Sequence, residues 1–376
     1  MEIQRFTIGE LVEWIHSDPY SQLPVVPISR ARALSYLHNP RGSLSAPICY
    51  LAWEKNELVG FRTLLVDAFY KEENPQTFAW LSGVWISPKH RRKGIASTLL
   101  KAVLQDWEGS LMTTHNSPAS REVYLKSGQF QRFFVNRGRR YYTRFALHRL
   151  LAPKHEVFRK NTALIEFGDK VLNFFHDRKF LILRFWISAK NVAFKAFTDL
   201  EPEWEAFVNQ HTTQSLTQRG AIELKWMGEF PWVYGKQDSS ISKQVYPFSE
   251  IVARYQRIYL GLYDPEGKPQ VLMVLLKVGP HLTIPFFFAK EMGDSRTELE
   301  EDLRSVLLYY VVHWKCDFLT LYHQPLIEIL DKVKGVFLYK KVFEEVYLAS
   351  NSLIPELPPP ESLTWQDGEG DVGFTG

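Results

Sequence analysis

The stretch Val84-Trp85-Ile86-Ser87-Pro88-Lys89-His90-Arg91-Arg92-Lys93-Gly94-Ile95-Ala96-Ser97 combines residue types that could hold a charged ligand. An apolar run ends at Ser87-Pro88, a basic loop turns, and a helical pattern begins, with Ile95, Leu99, Ala102 and Val103 on one face. A helix start presents unpaired backbone N–H groups and the positive end of its dipole. Gly94 has no Cβ to hold a ligand off, and Ala96 keeps the next turn small. Arg91, Arg92 and Lys93 add positive charge at the same place. Such a loop is built to hold a diphosphate.

The elements around it can be read from periodicity. Glu10 to His16 and Arg30 to Leu37 have helical spacing. Two apolar runs, Ile48 to Trp53 and Leu58 to Val66, flank the polar Glu54-Lys55-Asn56-Glu57 as hairpin strands do. Thr77 to Ile86 reads as the strand that delivers the loop, and Gly94 to Trp107 as the helix that leaves it. A short strand (Ser110 to Thr114), a helix (Pro118 to Ser127) and a closing hairpin follow. The hairpin spans Phe130 to Leu147 around Asn136-Arg137-Gly138. The pattern predicts an α+β domain with a mixed, mostly antiparallel sheet flanked by helices.

With these elements in place, Arg91-x-x-Gly94-x-Ala96 resembles the pyrophosphate loop of the GNAT superfamily of N-acetyltransferases. The later series Asn116, Ala119, Tyr124, Gly128 and Phe130 resembles that family's fourth-helix motif, and the hairpin closing on Leu58-Val59-Gly60-Phe61 looks like its second and third strands. The resemblance covers residues 1–148. It implies acetyl-CoA as cosubstrate, with the pantetheine arm along the backbone of Val84, Trp85 and Ile86. The pyrophosphate would lie at Arg91, Arg92, Lys93, Gly94, Ile95, Ala96 and Ser97, with Asn116 in the same set. It also implies direct attack by a primary amine of a small molecule or peptide, with Tyr124 protonating the leaving thiolate. A neutral amine requires a proton acceptor. His115, Asp67, Glu72 and a water relay all remain open for that task.

Beyond residue 197 the order of elements repeats. A helix from Pro202 to Gln210 leads to Glu223-Leu224-Lys225-Trp226. Strands follow at Ile258 to Tyr263, Val271 to Val278 and His281 to Lys290, then a helix from Thr297 to Trp314 and a short strand from Phe318 to Tyr322. A helix from Pro325 to Val333 and a strand from Phe343 to Ala349 close the series. This half has no Arg-x-x-Gly-x-Ala. Glu298, Glu300, Glu301 and Asp302 crowd its helix start, where they would stabilise the helix and repel a diphosphate. The expected organisation is a catalytic domain over 1–148, a helical connector over 149–196 and a degenerate GNAT-like repeat over 197–354. An extended tail would occupy 355–376. Trp226, Phe230 and Trp232 would either line the amine pocket or bury themselves at the junction.

Composition narrows the function. The net charge is +3, from 45 basic and 42 acidic residues, too balanced to predict nucleic acid or a membrane as main partner. The connector is rich in aromatics and in Lys and Arg, but Glu166, Asp169 and Asp177 interrupt it, which favours a packed bridging helix over a membrane-surface one. Cys49 and Cys316 lie far apart without metal-ligand spacing, so no metal site is expected. There is no apolar signal core and no long apolar run, which predicts a cytoplasmic protein. Two other functions fit paired domains of this kind, a cell-wall-branching aminoacyl or peptidyl transferase and a non-catalytic acyl-CoA-binding module. The first uses charged tRNA and needs no pyrophosphate loop, so the intact loop favours acyl-CoA.

Overall fold

The computed structural model describes residues 1–71, 74–151, 155–186, 192–212, 215–235, 245–248, 250–290 and 296–375. The first half runs β1 (Glu2–Thr7), α1 (Ile8–Trp14), α2 (Asp18–Ser21), α3 (Arg30–Leu37), β2 (Pro47–Glu54), β3 (Glu57–Lys71) and β4 (Asn74–Ile86). It continues with α4 (Ile95–Asp106), β5 (Leu111–Thr113), α5 (Pro118–Lys126) and β6 (Phe130–Tyr142). The helix starts follow local chemistry. Thr7 and Glu10 cap α1 reciprocally, Ser29 caps α3, and Pro118 opens α5 after the capping Ser117.

A helical connector follows, with α6 (Leu147–Leu151), α7 (Glu156–Lys160) and α8 (Thr162–Trp186). The second half then runs β7 (Phe194–Phe197), α9 (Pro202–Gln210), α10 (Ala221–Glu229), β8 (Tyr234–Gly235), β9 (Ile251–Val252), β10 (Tyr255–Tyr263), β11 (Pro269–Val278) and β12 (His281–Ala289). It ends with α11 (Arg296–His313), β13 (Phe318–Leu321), α12 (Gln324–Asp331), β14 (Tyr339–Ser350) and the short α13 (Val372–Thr375). Among the described residues, apart from a small β8–β9 pair, the strands form one sheet in the order β1-β2-β3-β4-β5-β14-β6-β13-β12-β11-β10-β7. The order shows the two halves, β1 to β5 answered by β7 and β10 to β13.

The closing strands are exchanged. β14, from the end of the chain, lies against β5 of the first half, while β6 lies against β13 of the second. β6 and β14 pair antiparallel from Phe130↔Ser350 to Tyr142↔Tyr339. The expected hairpin around Asn136-Arg137-Gly138 is therefore absent, and these residues sit inside the continuous strand β6. Gly138 has no positive φ. It is small because the Tyr322 ring lies over it, and a Cβ there would come 2.5 Å from that ring.

One apolar cluster runs through both halves, from Phe6, Leu11 and Tyr36 to Trp204, Trp226 and Phe286. A second lies under α4 and α5, a third under α11 and α12. Trp226 and Trp232 are buried in the shared cluster, where Trp226 donates to the Ser35 carbonyl (2.8 Å) and Trp232 stacks on Phe374 (4.2 Å). Phe230 stacks on His38. These aromatics join the halves.

The expectation of an extended, loose tail is corrected. Trp365, Gln366, Asp367, Glu369 and Phe374 are all buried. The glycines that suggested looseness serve close packing instead, for a Cβ on Gly368 would meet the Phe286 ring at 2.4 Å.

Candidate active site

β4 and β5 run parallel for only two register pairs, Ala79↔Leu111 and Trp80↔Met112. Thr113 then donates its hydroxyl to the Leu81 carbonyl (3.3 Å), and β4 continues to Ile86 paired with β3 but no longer with β5. Against β3 the register slips between Arg62↔Val84 and Leu64↔Leu81, and in that bulge the Gly83 N–H donates to Thr63 Oγ1 (3.1 Å). The bulge and the early end of β5 part the strands. A cleft of about 610 Å³ opens there, bounded by Val84, Trp85 and Ile86 on one side and by Arg91, Arg92, Gly94, Ala96 and Ser97 on another.

The loop backbone is preset for an anion. Arg92 has φ 63° and Gly94 φ 79°, and Gly94 is the N-cap of α4 without any capping side chain. The first-turn N–H groups consequently face the cleft with no side-chain acceptor. Apart from its chain neighbours, nothing lies within 4 Å of the position a Gly94 Cβ would take. Arg91, Arg92 and Lys93 are exposed around it. Buried polar atoms without partners among the described residues include Arg62 Nε and His90 Nδ1, both on residues that line this cleft. A group rich in acceptors would satisfy them.

Tyr124 is buried on α5, and its hydroxyl accepts a hydrogen bond from Arg62 Nη1 (2.9 Å). Arg62 itself lines the cleft. A guanidinium only donates, so the phenol keeps its own proton to give. Sequence reasoning missed Arg62, though a charged residue inside the apolar run Val59 to Val66 was the available signal.

His115, with φ 51°, lies two residues past the end of β5. Its backbone N–H donates to Glu345 Oε1 (2.5 Å), and its Nε2 lies 3.8 Å from Glu345 and 4.0 Å from Asp367. Burial lowers the His115 pKa, against the upward pull of Glu345 and Asp371. Asp371 accepts a hydrogen bond from Ser82 on β4, beside Arg32, which donates to Ser82 (2.5 Å). The parted strands thus carry His115 on one lip and Ser82 with Asp371 on the other. Glu345, Asp367 and Asp371 belong to β14 and the final segment, more than 200 residues from His115 in sequence. No sequence spacing could reveal them.

Asp67 does not belong to this opening. It lies within β3, accepts from Arg41 (2.7 Å), Arg219 (2.7 Å) and Trp80 Nε1 (2.8 Å), and binds the halves together. Burial opposes its charge, but Arg219 and Arg41 hold its pKa below the ordinary value. Glu72 lies outside the described residues.

Burial pushes the Asp367 carboxyl up to about 8, with Glu345 adding to the effect and Arg140 opposing it. In the unfolded chain this group ionises near pH 4, so between about 4 and 8 the folded protein binds more protons than the unfolded one. Stability should fall as pH rises through that window. Thermal unfolding at pH 5 and pH 8 should show a larger loss for the wild type than for Asp367→Asn. Equal losses would mean the carboxyl ionises normally.

The second half has the same opening and fills it. β12 and β13 pair in parallel only from His281↔Phe318 to Thr283↔Thr320. Past that point the free edge of β12 is covered by the chain's own last residues. Gln366 Oε1 accepts from the Phe287 N–H and Nε2 donates to its carbonyl, both at 3.0 Å, and the Gly368 N–H donates to the Pro285 carbonyl (2.7 Å). Of the acidic stretch, residues 291–295 lie outside the described residues. Further along, Glu300 pairs with Lys332 (3.0 Å).

Residues 10–128 match the acetyltransferase (GNAT) family. The first part of this chain is similar to a GNAT domain. Among solved structures, an N-myristoyltransferase of Saccharomyces cerevisiae with bound myristoyl-CoA aligns over 92% of this chain and 82% of its own, at 8% identity and TM-score 0.50. A tandem GNAT protein from the clavulanic acid biosynthesis pathway aligns over 93% and 98%, at 12% identity and TM-score 0.47. At such identities the likeness concerns the fold. No curated protein matches the sequence. The architecture is α+β, with two tandem GNAT-like halves and an acyltransferase fold. Among the described residues, no helix is long and apolar enough to cross a membrane.

Proposed function

We propose that this protein is an acetyl-CoA-dependent N-acyltransferase with one donor site, in its first half, acting on a primary amine of a small molecule or peptide. One contrast carries the reading. The β4–β5 opening meets an uncapped, glycine-led helix start, whereas the β12–β13 opening is occupied by Gln366 and Gly368.

When bound, the donor supplies an activated thioester. The α4 N–H groups and Arg91 to Lys93 hold its diphosphate, and the free edge of Val84 to Ile86 aligns its arm. Arg62 and Tyr124 face the departing sulfur, where Tyr124 gives its proton and Arg62 orients the phenol. On the opposite lip, His115 takes the proton of the attacking amine. Its lowered pKa keeps the ring neutral and able to accept at neutral pH, and Glu345 fixes the main chain that carries it. Asp371 and Glu345 give that lip a negative character suited to an incoming ammonium group.

The test is a thiol-release assay with acetyl-CoA and a panel of primary amines, amino acids and short peptides, run beside myristoyl-CoA. Acetyl-CoA turnover that depends on an amine supports the proposal. Turnover with the long chain alone would overturn the acetyl assignment, and binding without turnover across the panel would make the site a non-catalytic acyl-CoA module.

A further inference from the structure

Helix α8 is packed the wrong way round for a helix of a globular protein. An ordinary surface helix buries its apolar stripe and shows water its polar face. Here the polar stripe is the one that docks. Asp169 accepts from the backbone N–H groups of Leu147 (3.0 Å) and His148 (2.9 Å). Asn173 clamps Phe145 through both its N–H (2.9 Å) and its carbonyl (2.7 Å). His176 meets the Thr143 carbonyl, and Asp177 pairs with Arg144 (3.0 Å). Of the three acidic residues that interrupt the basic pattern in the sequence, Asp169 and Asp177 are thus used in docking, while Glu166 pairs with Lys170 on the exposed side.

The outward face is left apolar. Leu164 (70% exposed), Phe167 (64%), Val171, Phe174 and Phe175 (63%) recur at helical spacing along it. Single exposed apolar residues are common, but a contiguous stripe with three phenylalanines marks a contact surface.

The charges around the stripe decide what it meets. With Asp169 and Asp177 turned inward, Arg159, Lys160, Lys170 and Arg178 outnumber Glu156 and Glu166 on the open side. Arg144, held by Asp177, also lines a cleft of about 430 Å³ beside the helix. That cleft adds Arg149, Arg254, Lys277 and Lys315 against a single carboxylate, Asp317. A second copy of this face would set like charges together. An anionic lipid surface matches both parts, taking the aromatic stripe into its boundary and its headgroups against the cations. The whole-chain charge of +3 concealed this local concentration. We infer that α8, with the basic cleft beside it, is a peripheral membrane-binding surface that seats the protein on anionic lipid.

The experiment is vesicle co-sedimentation of the full chain with phosphatidylglycerol–phosphatidylcholine vesicles and with pure phosphatidylcholine vesicles. Binding at least tenfold stronger to the anionic vesicles is expected, and it should weaken in 0.5 M salt. Phe167→Asp/Phe175→Asp should reduce binding at least tenfold while circular dichroism stays unchanged. Arg254→Glu/Lys315→Glu, on a different surface element, should separately weaken it and flatten the salt dependence. Equal binding to both vesicle types, or binding to neither, would overturn the inference. So would a concentration-dependent dimer, seen by light scattering, that the two phenylalanine substitutions abolish, because the face would then be a self-interface.

Discussion

Replacing Gly94 with valine is expected to weaken acetyl-CoA binding at least 100-fold while leaving the protein folded. Gly94 adopts φ 79°, a conformation that costs an L-residue about 1–2 kcal/mol, and β-branching makes it worse. That strain accounts for a few degrees of Tm. The loss of binding has a different origin. Apart from its chain neighbours, no residue lies within 4 Å of the position the Cβ would take, and Gly94 lines the cleft, so the added side chain would project into the space left for the diphosphate. Calorimetric titration with acetyl-CoA and thermal unfolding of the same variant separate the two effects. Binding within threefold of wild type would mean the diphosphate lies elsewhere.

Removing the Tyr124 hydroxyl should lower kcat on the order of 10²-fold, the usual loss for a general acid, with donor affinity nearly unchanged. Tyr124→Phe keeps the ring in its contact with Phe130 (centroids 5.5 Å apart) and deletes only the atom that Arg62 holds. Arg62→Met should lower kcat too, because the phenol loses its orienting donor, and it should also cost stability by leaving Tyr124 a lone buried hydroxyl. Single-turnover kinetics show whether chemistry limits the rate. If it does and Tyr124→Phe retains full kcat, the thiolate is protonated by another group.

Much of the fold was legible because its signals are local. The apolar strand Val271 to Val278, the helix Pro202 to Gln210 and the glycine-led start of α4 each follow from residues close in sequence. The loop of the donor site belongs to this class. What escaped depends on distant pairing. Asn136-Arg137-Gly138 has turn composition, yet β14 arrives from some 200 residues away to make it mid-strand. The tail has the composition of a loose segment, and its glycines instead admit the Phe286 ring and the Thr114 methyl group. The acceptor lip drew on both surprises. His115 could be named from its place after β5, but Glu345 and Asp371 reach it only through the exchanged strand and the inserted tail.

The measurement that bears most directly on the central claim is the stoichiometry of acetyl-CoA binding to the intact chain, read by isothermal titration calorimetry beside the Gly94→Val variant. One site per wild-type chain and none in the variant is the predicted result, because only the first half leaves its strand opening free next to an uncapped helix start. Two sites per chain, or one site that survives Gly94→Val, would contradict it.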